Sequence, residues 1–319
     1  MKIKSVLLAG AGAVGLPTAE TIFRAEPQCI SILAKGQRLE RYQKNGLWAN
    51  GEKLDFRFTH GETVDLIIIA CKFQHLDQIV EDITPSVGKD TIILSLLNGI
   101  SSEDIIGRKH GRHRLPLAMM LGTDAQNEAG QTKYSRKGTI HFGDGEGKNG
   151  EREEAIAEFF TRTGVDFKLE QNMRRALWFK YMFNVGANQT TAILRLPYLA
   201  IQSKGGSGEI PEARLLFEKG MREVIAVANA EGIDLNEGDM GNVYKTINLL
   251  DPASSTSMCQ DILAGRKTEL EMFSLTMMEL GKKHNIPVPV NEVFYLQLRT
   301  IEKRTIESCI IDHNNGKRS

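Results

Sequence analysis

Residues 10–15 read Gly-Ala-Gly-Ala-Val-Gly, directly after a short apolar run (Lys4 to Ala9) and directly before a helical pattern, LPTAETIFRA. A strand that ends in G-x-G-x-x-G and opens a helix limits the fold more than any other feature of this chain. In that arrangement the first glycine makes the tight turn. The second lets the backbone approach a pyrophosphate, and the third lets the helix pack closely on the strand. The pyrophosphate sits at the helix N-terminus, where unpaired N–H groups and the helix dipole favour an anion. Gly10, Ala11, Gly12, Ala13, Val14 and Gly15 are therefore the expected cofactor-binding backbone of a Rossmann-type domain. A second strand-like run, Cys29 to Leu33, follows at the spacing of a βαβ unit.

The turn after that second run bears on the choice of dinucleotide. An acid about twenty residues past the last glycine would bind a ribose 2′-hydroxyl and indicate NAD. This chain has Ala34-Lys35-Gly36-Gln37-Arg38, with no acid before Glu40. Two cations suit a 2′-phosphate, so NADPH/NADP+ is the expected cofactor. A solvated basic turn would look the same in isolation.

A chain of 319 residues is long enough for two domains with real cores. Lys+Arg and Asp+Glu both number 40, which argues against nucleic acid as a primary partner. The cysteines (Cys29, Cys71, Cys259 and Cys309) form no C-x-x-C pair and no metal-ligand spacing, and are expected as free thiols in a reducing compartment. No apolar run approaches the ~20 residues that span a bilayer. The apolar start at Val6 reads as a strand rather than a signal sequence. The expectation is a soluble cytoplasmic protein with neither a nucleic-acid nor a membrane partner.

Two further continuous apolar runs, Leu66 to Lys72 (LIIIACK) and Thr91 to Asn98 (TIILSLLN), read as strands of a parallel sheet covered on both faces. Ligands in such sheets bind outside the carboxyl ends of the strands, where Lys72 and Asn98 stand. Solvation of a strand end and an Asn-Gly turn are the plainer readings of the two. The basic stretch GRKHGRHR, with His110 and His113, lacks carboxylate or cysteine companions for a metal and is expected as a solvated connection. Gly138 to Asp144 and Val165 to Leu169 read as later strands of the same domain. The acidic helix between them, near Glu151 to Thr163, is expected to face solvent.

From about Asn172 helical patterns take over: Met173 to Leu194, Ala213 to Ala230, and Ser257 to His284. The expected organisation is an α/β Rossmann-type dinucleotide-binding domain over residues 1–171, followed by an all-α C-terminal domain over residues 172–319. The Gly/Ser-rich stretch Gln202 to Glu209 reads as a mobile loop, and the last residues, HNNGKRS, as a frayed tail. In the first helix of this half, Lys180, Asn184 and Asn188 fall four apart, so each step advances about 40° and all three share one face. Leu177, Trp178, Met182, Phe183, Val185 and Ile193 around them mark a largely buried helix, and lysine is rarely buried without a partner. A polar stripe carrying an ammonium group on such a helix suggests a site. A half-exposed amphipathic helix is the alternative.

The order GAGAVG, CKFQ, LLNG, LWFKYMFNVGAN and SMCQDILAGRKTELE resembles the ketopantoate (2-dehydropantoate) 2-reductase family over most of the chain. The resemblance implies NADPH-dependent reduction of a 2-keto acid to a 2-hydroxy acid, foremost ketopantoate to pantoate in pantothenate biosynthesis. It implies Lys180 as proton donor and Asn184 and Asn188 as substrate-binding residues. It places Lys72 and Asn98 near nicotinamide and substrate, Ser257 on the substrate and Glu269 on the cofactor. Lys35 stands where the family usually has an arginine for the 2′-phosphate. With these residues divided between the two halves, the site is expected between the domains; a homodimer is compatible with the resemblance. The chemistry is coherent: hydride delivery to a ketone leaves an alkoxide, and a lysine ammonium supplies both the proton and a nearby positive charge. Ser257 precedes or opens a helix, with a simple N-cap as its alternative reading. On a straight helix Glu269 would stand ~18 Å further along, which suits a cofactor contact, with a salt-bridged surface glutamate as the alternative.

The chain also departs from the family's pattern. After Asn188 it reads Gln189-Thr190-Thr191 where proline, leucine and a small hydroxyl residue are usual. It has Leu196-Pro197-Tyr198 where some members place a substrate-contacting asparagine. These changes leave the reduction chemistry intact and touch the choice of substrate. The alternatives are a paralogous NADPH-dependent reductase for another branched keto acid and a non-catalytic NADP-binding sensor, which would have no use for a proton donor.

Overall fold

In the computed structural model, residues 2–128, 130–204 and 209–315 are described, with side chains to residue 304. The chain forms two compact units, Met1–Leu177 and Trp178–Ser319. The first runs β1 (Val6–Ala9), α1 (Gly15–Ala25), β2 (Ile30–Leu33), α2 (Gly36–Asn45), β3 (Leu47–Ala49), β4 (Glu52–Leu54), β5 (Arg57–Thr59), β6 (Val64–Ile69), α3 (Leu76–Asp82), β7 (Val87–Ser95), α4 (Ser102–His110), β8 (Leu117–Leu121), β9 (Asp124–Glu128), β10 (Gln131–Arg136), β11 (Thr139–Gly143), α5 (Glu151–Thr163) and β12 (Phe167–Leu169). The division between the units falls within α6 (Met173–Leu194). There follow α7 (Pro211–Ala230), α8 (Glu237–Ile247), α9 (Ser257–Leu263), α10 (Thr276–His284) and α11 (Pro289–Asn315).

Five strands form a parallel sheet in the order β5-β2-β1-β6-β7. The chain winds outward from β1 to one edge, then crosses to β6 and winds to the other, so the topological switch point lies between β1 and β6. All of β1 and β2 is buried, as continuous apolar strands covered on both faces should be. Helix α1 lays Leu16, Ala19 and Ile22 into this core.

Lys72 and Asn98 do not sit in strands, as the apolar runs suggested. β6 stops at Ile69, and Lys72 caps a short 3₁₀ turn, Phe73–His75. β7 stops at Ser95, and Gly99, at φ +83°, turns the chain just past Asn98. Both residues therefore stand in the loops beyond the carboxyl ends of neighbouring strands.

The later strands β11 and β12 lie where the sequence suggested but build a separate three-stranded sheet, β12-β11-β8. A third sheet, β4-β3-β10-β9, was not foreseen. Helix α5 is amphipathic rather than simply solvent-facing, because Ile156, Phe159 and Phe160 are fully buried. The basic stretch is also more than a solvated connection. His110 ends α4 with Nε2 2.8 Å from the Val80 carbonyl, and Arg114 donates to the carbonyls of Lys89 and His110.

Among the described residues, the chain from Met173 onward holds no strand. Helix α6 starts where Asn172 accepts the Arg175 N–H at 3.0 Å and ends where Arg195 turns left-handed at φ +53°, ahead of Pro197. It crosses α7 closely: a Cβ on Gly186 would lie 2.6 Å from the Phe217 ring, and one on Gly220 would lie 3.5 Å from Gly186 Cα. The single helix expected over Ser257–His284 is broken. α9 ends at Leu263, Gly265 adopts φ +66°, and a π-helical turn, Glu271–Leu275, leads into α10. The straight-helix separation of Ser257 from Glu269 is therefore void. Half of the Gly/Ser-rich loop read over Gln202 to Glu209, residues 205–208, lies outside the described residues. Helix α11 carries its backbone to Asn315, into the stretch read as a frayed tail, and residues 316–319 lie outside the described residues.

Candidate active site

The glycine turn after β1 has the geometry its spacing requires. Gly10, at φ +115°, packs so tightly on the loop after β6 that a Cβ would lie 2.5 Å from the Ala70 carbonyl oxygen. A Cβ on Gly15 would lie 2.0 Å from the Gly10 carbonyl oxygen, so only glycine lets α1 start this close to β1. Around a Cβ on Gly12 there is open space out to 4 Å. No side chain caps α1. The turn thus leaves room beside Gly12 at an uncapped helix N-terminus of the switch point, where a pyrophosphate fits. Lys72 and Asn98 belong to the same end of the sheet.

Lys35 and Arg38 stand at the carboxyl end of β2, where α2 opens without a side-chain cap. With Gly36 and Gln37 they line a cleft whose other wall is Gln78 and Asp82 of α3. Lys35 Nζ lies 2.5 Å from Asp82 Oδ1. Asp82 is thus an acid at this turn that does not follow the second strand in sequence but arrives from α3.

In the second unit, Lys180, Asn184 and Asn188 share one face of α6, and both asparagines are buried. Lys180 keeps partial solvent access. Burial pulls its pKa from the ordinary lysine value down to about 8, with the Glu269 carboxylate working in the opposite direction. Tyr181, the next residue, donates its hydroxyl to the Phe273 carbonyl at 2.9 Å, which ties α6 to the π-helical turn just after Glu269.

Ser257 is the first residue of α9, and its hydroxyl is not the cap. Thr256 is the N-cap and accepts the Cys259 N–H at 3.2 Å. Thr256 also bonds Thr191 at 2.7 Å, which holds Ser257 close to the helix that carries Asn188. Gln189 has a structural explanation. Its amide donates to the Val185 carbonyl and to Asn291 Oδ1, and accepts from Ser274. Asn291 is held in turn by Glu223, which also accepts the N–H groups of Val290 and Asn291 at the start of α11. Tyr198 opens a 3₁₀ turn and is partly buried, and burial raises its phenol pKa to about 12, so it acts as a neutral group. Among the described residues, no cluster of three or more His, Cys, Asp or Glu side chains could hold a metal, and no helix is long and apolar enough to cross a membrane. Among the described residues, Cys29, Cys71 and Cys259 form no disulfide; the side chain of Cys309 is outside the described residues.

Comparison with known proteins adds to this geometry. Residues 6–147 match the family described as "Ketopantoate reductase PanE/ApbA", and residues 172–302 match "Ketopantoate reductase PanE/ApbA C terminal". The 2-dehydropantoate 2-reductase of Lactococcus lactis subsp. lactis is 25% identical over 299 residues, covering 89% of this chain and 93% of that protein. Among solved structures, a PanE/ApbA family ketopantoate reductase from Ralstonia eutropha JMP134 shares the fold, with a TM-score of 0.79 at 23% identity, covering 94% of this chain and 99% of that one. A complex of D-mandelate dehydrogenase with NADH gives a TM-score of 0.80 at 25% identity, with the same coverage, 94% and 99%.

Proposed function

The chain belongs to the ketopantoate reductase family, and from that membership we propose that it reduces a 2-keto acid to a 2-hydroxy acid, with ketopantoate the first candidate substrate and NADPH the reductant. The observation that carries the reading is Lys180: a lysine on a buried helix face, one turn from Asn184 and two from Asn188, with its pKa drawn down to about 8.

A nicotinamide, when bound, supplies the hydride that adds to the keto carbon. The rest falls to this chain's side chains. As the carbon is reduced, the carbonyl π pair collects on oxygen, and the Lys180 ammonium stabilises that charge and donates its proton to it, giving the alcohol. The neutral amine then recovers a proton from solvent, to which Lys180 has partial access. A donor whose pKa lies near the working pH both gives and regains its proton readily. Asn184 and Asn188 offer amide donors that hold the keto and carboxylate oxygens without competing for the proton. The Ser257 hydroxyl, freed from capping by Thr256, is available to the carboxylate. Gly10 to Gly15 receive the pyrophosphate, Lys35 and Arg38 the 2′-phosphate, and Lys72 and Asn98 line the nicotinamide end. Glu269, whose charge acts on Lys180, is assigned to keep the donor protonated as well as to meet the cofactor.

A second reading, a reductase for another 2-keto acid, is favoured by Tyr198, where some members offer an asparagine amide, and by the likeness to D-mandelate dehydrogenase. Oxidation of NADPH and of NADH with a panel of 2-keto acids tests both. Turnover of ketopantoate above all others supports the first reading, turnover of another acid the second, and no turnover with any of them removes the reductase reading.

A further inference from the structure

The cleft at the carboxyl end of β2 contains an ion pair that crosses between two elements. Lys35 is half exposed, at 52%, whereas the Asp82 carboxylate it meets at 2.5 Å is almost sealed, at 7%. Gln78, one turn earlier on α3, donates to the same oxygen, Asp82 Oδ1, at 2.7 Å. Asp82 is thus a fixed acceptor in the wall of the cleft that also holds Lys35, Gly36, Gln37 and Arg38. In a sheet of this topology, that cleft receives the adenosine ribose and whatever its 2′ position carries.

We propose that Asp82 is a specificity-determining residue for the cofactor, one that occupies Lys35 and thereby mutes the preference for a 2′-phosphate over a 2′-hydroxyl. The inference rests on the dinucleotide reading of this cleft. A phosphate monoester carries about −1.5 to −2 charges at neutral pH. To use Lys35 it must share an ammonium already neutralised by Asp82, and it brings its own charge toward a carboxylate that burial leaves poorly screened. Arg38 remains as the second cation. A 2′-hydroxyl brings no charge and can donate to Asp82, the role that an acid after the second strand fills elsewhere. The pair does not close the cleft to phosphate, because the half-exposed Lys35 can turn toward an incoming anion while Gln78 keeps its hydrogen bond to Asp82. The outcome is a chain that takes NADPH but separates it from NADH less sharply than its two cations imply.

Binding of 2′-phospho-ADP-ribose and of ADP-ribose to the purified full chain, by calorimetry, tests this without any turnover. Asp82→Asn keeps the shape and removes the charge; Asp82→Ser removes the charge with a smaller side chain. Either should tighten 2′-phospho-ADP-ribose and leave or weaken ADP-ribose, raising the ratio of affinities about tenfold, or about 1.4 kcal/mol. An unchanged ratio overturns the proposal. So does weaker 2′-phospho-ADP-ribose binding, which would mean that Asp82 merely orients Lys35. Loss of folding in both variants would assign Asp82 to the fold and also overturn it. If the wild type binds neither nucleotide, the dinucleotide reading itself fails, an outcome distinct from the others.

Discussion

The hydroxyls of Thr191 and Thr256 are 2.7 Å apart in the interior of the second unit, and through them the end of α6 holds the start of α9. The direction of the bond follows from the neighbours. Thr191 donates to the Ala187 carbonyl at 2.8 Å, which leaves Thr256 to donate to Thr191 while accepting the Cys259 N–H. Thr191→Val strands the Thr256 proton in a dry site and should cost about 1–3 kcal/mol of unfolding free energy. If Ser257 holds substrate, KM should rise more than kcat. Chemical denaturation and steady-state kinetics check the two halves, and a variant as stable as wild type would show that the bond does not anchor α9.

Lys180 ties pH dependence to both activity and stability, with opposite signs. As a donor it must be protonated, so kcat/KM should fall as pH rises through about 8. For stability, the native pKa is lowered relative to the unfolded chain, whose lysines titrate near 10.4. Below about 8 both states are protonated and the burial penalty is constant. Between the two values only the unfolded state keeps the proton, so this group's contribution to stability rises with pH. Lys180→Met should abolish that rise, and Lys180→Ala should lower kcat by about two orders of magnitude or more. A Lys180→Ala enzyme with near-normal kcat, with chemistry rate-limiting, would exclude Lys180 as the donor.

What could be read from the sequence divides along physical lines. The sheet strands β1, β2, β6 and β7 announced themselves as continuous apolar runs, and α6 was legible over its whole length because an N-cap asparagine, an apolar helix and a Pro197 stop all agree. The sheet formed by β3, β4, β9 and β10 was not legible. Its strands are three to six residues long and partly exposed, too short and too polar for alternation to show. The break after Leu263 was hidden because the residues around Gly265 keep a helical composition. Within the candidate site, shared faces and turn geometry were visible locally. The Lys35–Asp82 pair was not, since it joins residues from two elements that only the parallel sheet brings together.

The glycine turn separates a folding role from a binding role. Gly12 has open space around its Cβ position, whereas a Cβ on Gly15 would overlap the Gly10 carbonyl. Gly12→Ala should therefore change stability by no more than about 0.5 kcal/mol, yet weaken NADPH about tenfold or more, because the new methyl would stand in the proposed pyrophosphate site. Gly15→Ala should instead destabilise the fold by about 1–3 kcal/mol through overpacking. Thermal unfolding alongside NADPH titration distinguishes them. Wild-type NADPH affinity in a folded Gly12→Ala protein would move the phosphate site away from this turn.

Tyr198 bears on which keto acid the enzyme prefers. Its phenol is kept neutral, with a pKa raised to about 12, and it stands partly buried at the start of its 3₁₀ turn. Its backbone N–H donates to the Ser254 carbonyl at 2.9 Å, three residues before Ser257, so the ring is carried beside the segment that presents that hydroxyl. Where an amide would bond the hydroxyl of ketopantoate, a partly apolar ring gives that group less reward. Ketoisovalerate, close in shape and without the hydroxyl, should then be penalised less. A site built to pair a substrate hydroxyl rejects the analogue lacking it by ~10⁴–10⁵, while one that merely accommodates it discriminates by ~10² or less. The expected ratio of kcat/KM for ketopantoate over ketoisovalerate falls in the lower range, and Tyr198→Asn should raise it. A wild-type preference of several hundredfold or more for ketopantoate, above the ~10² of a site that merely accommodates the hydroxyl, would show that Asn184, Asn188 and Ser257 already hold the hydroxyl. Tyr198 would then be part of the rim, and the assignment to pantoate formation would be the stronger for it.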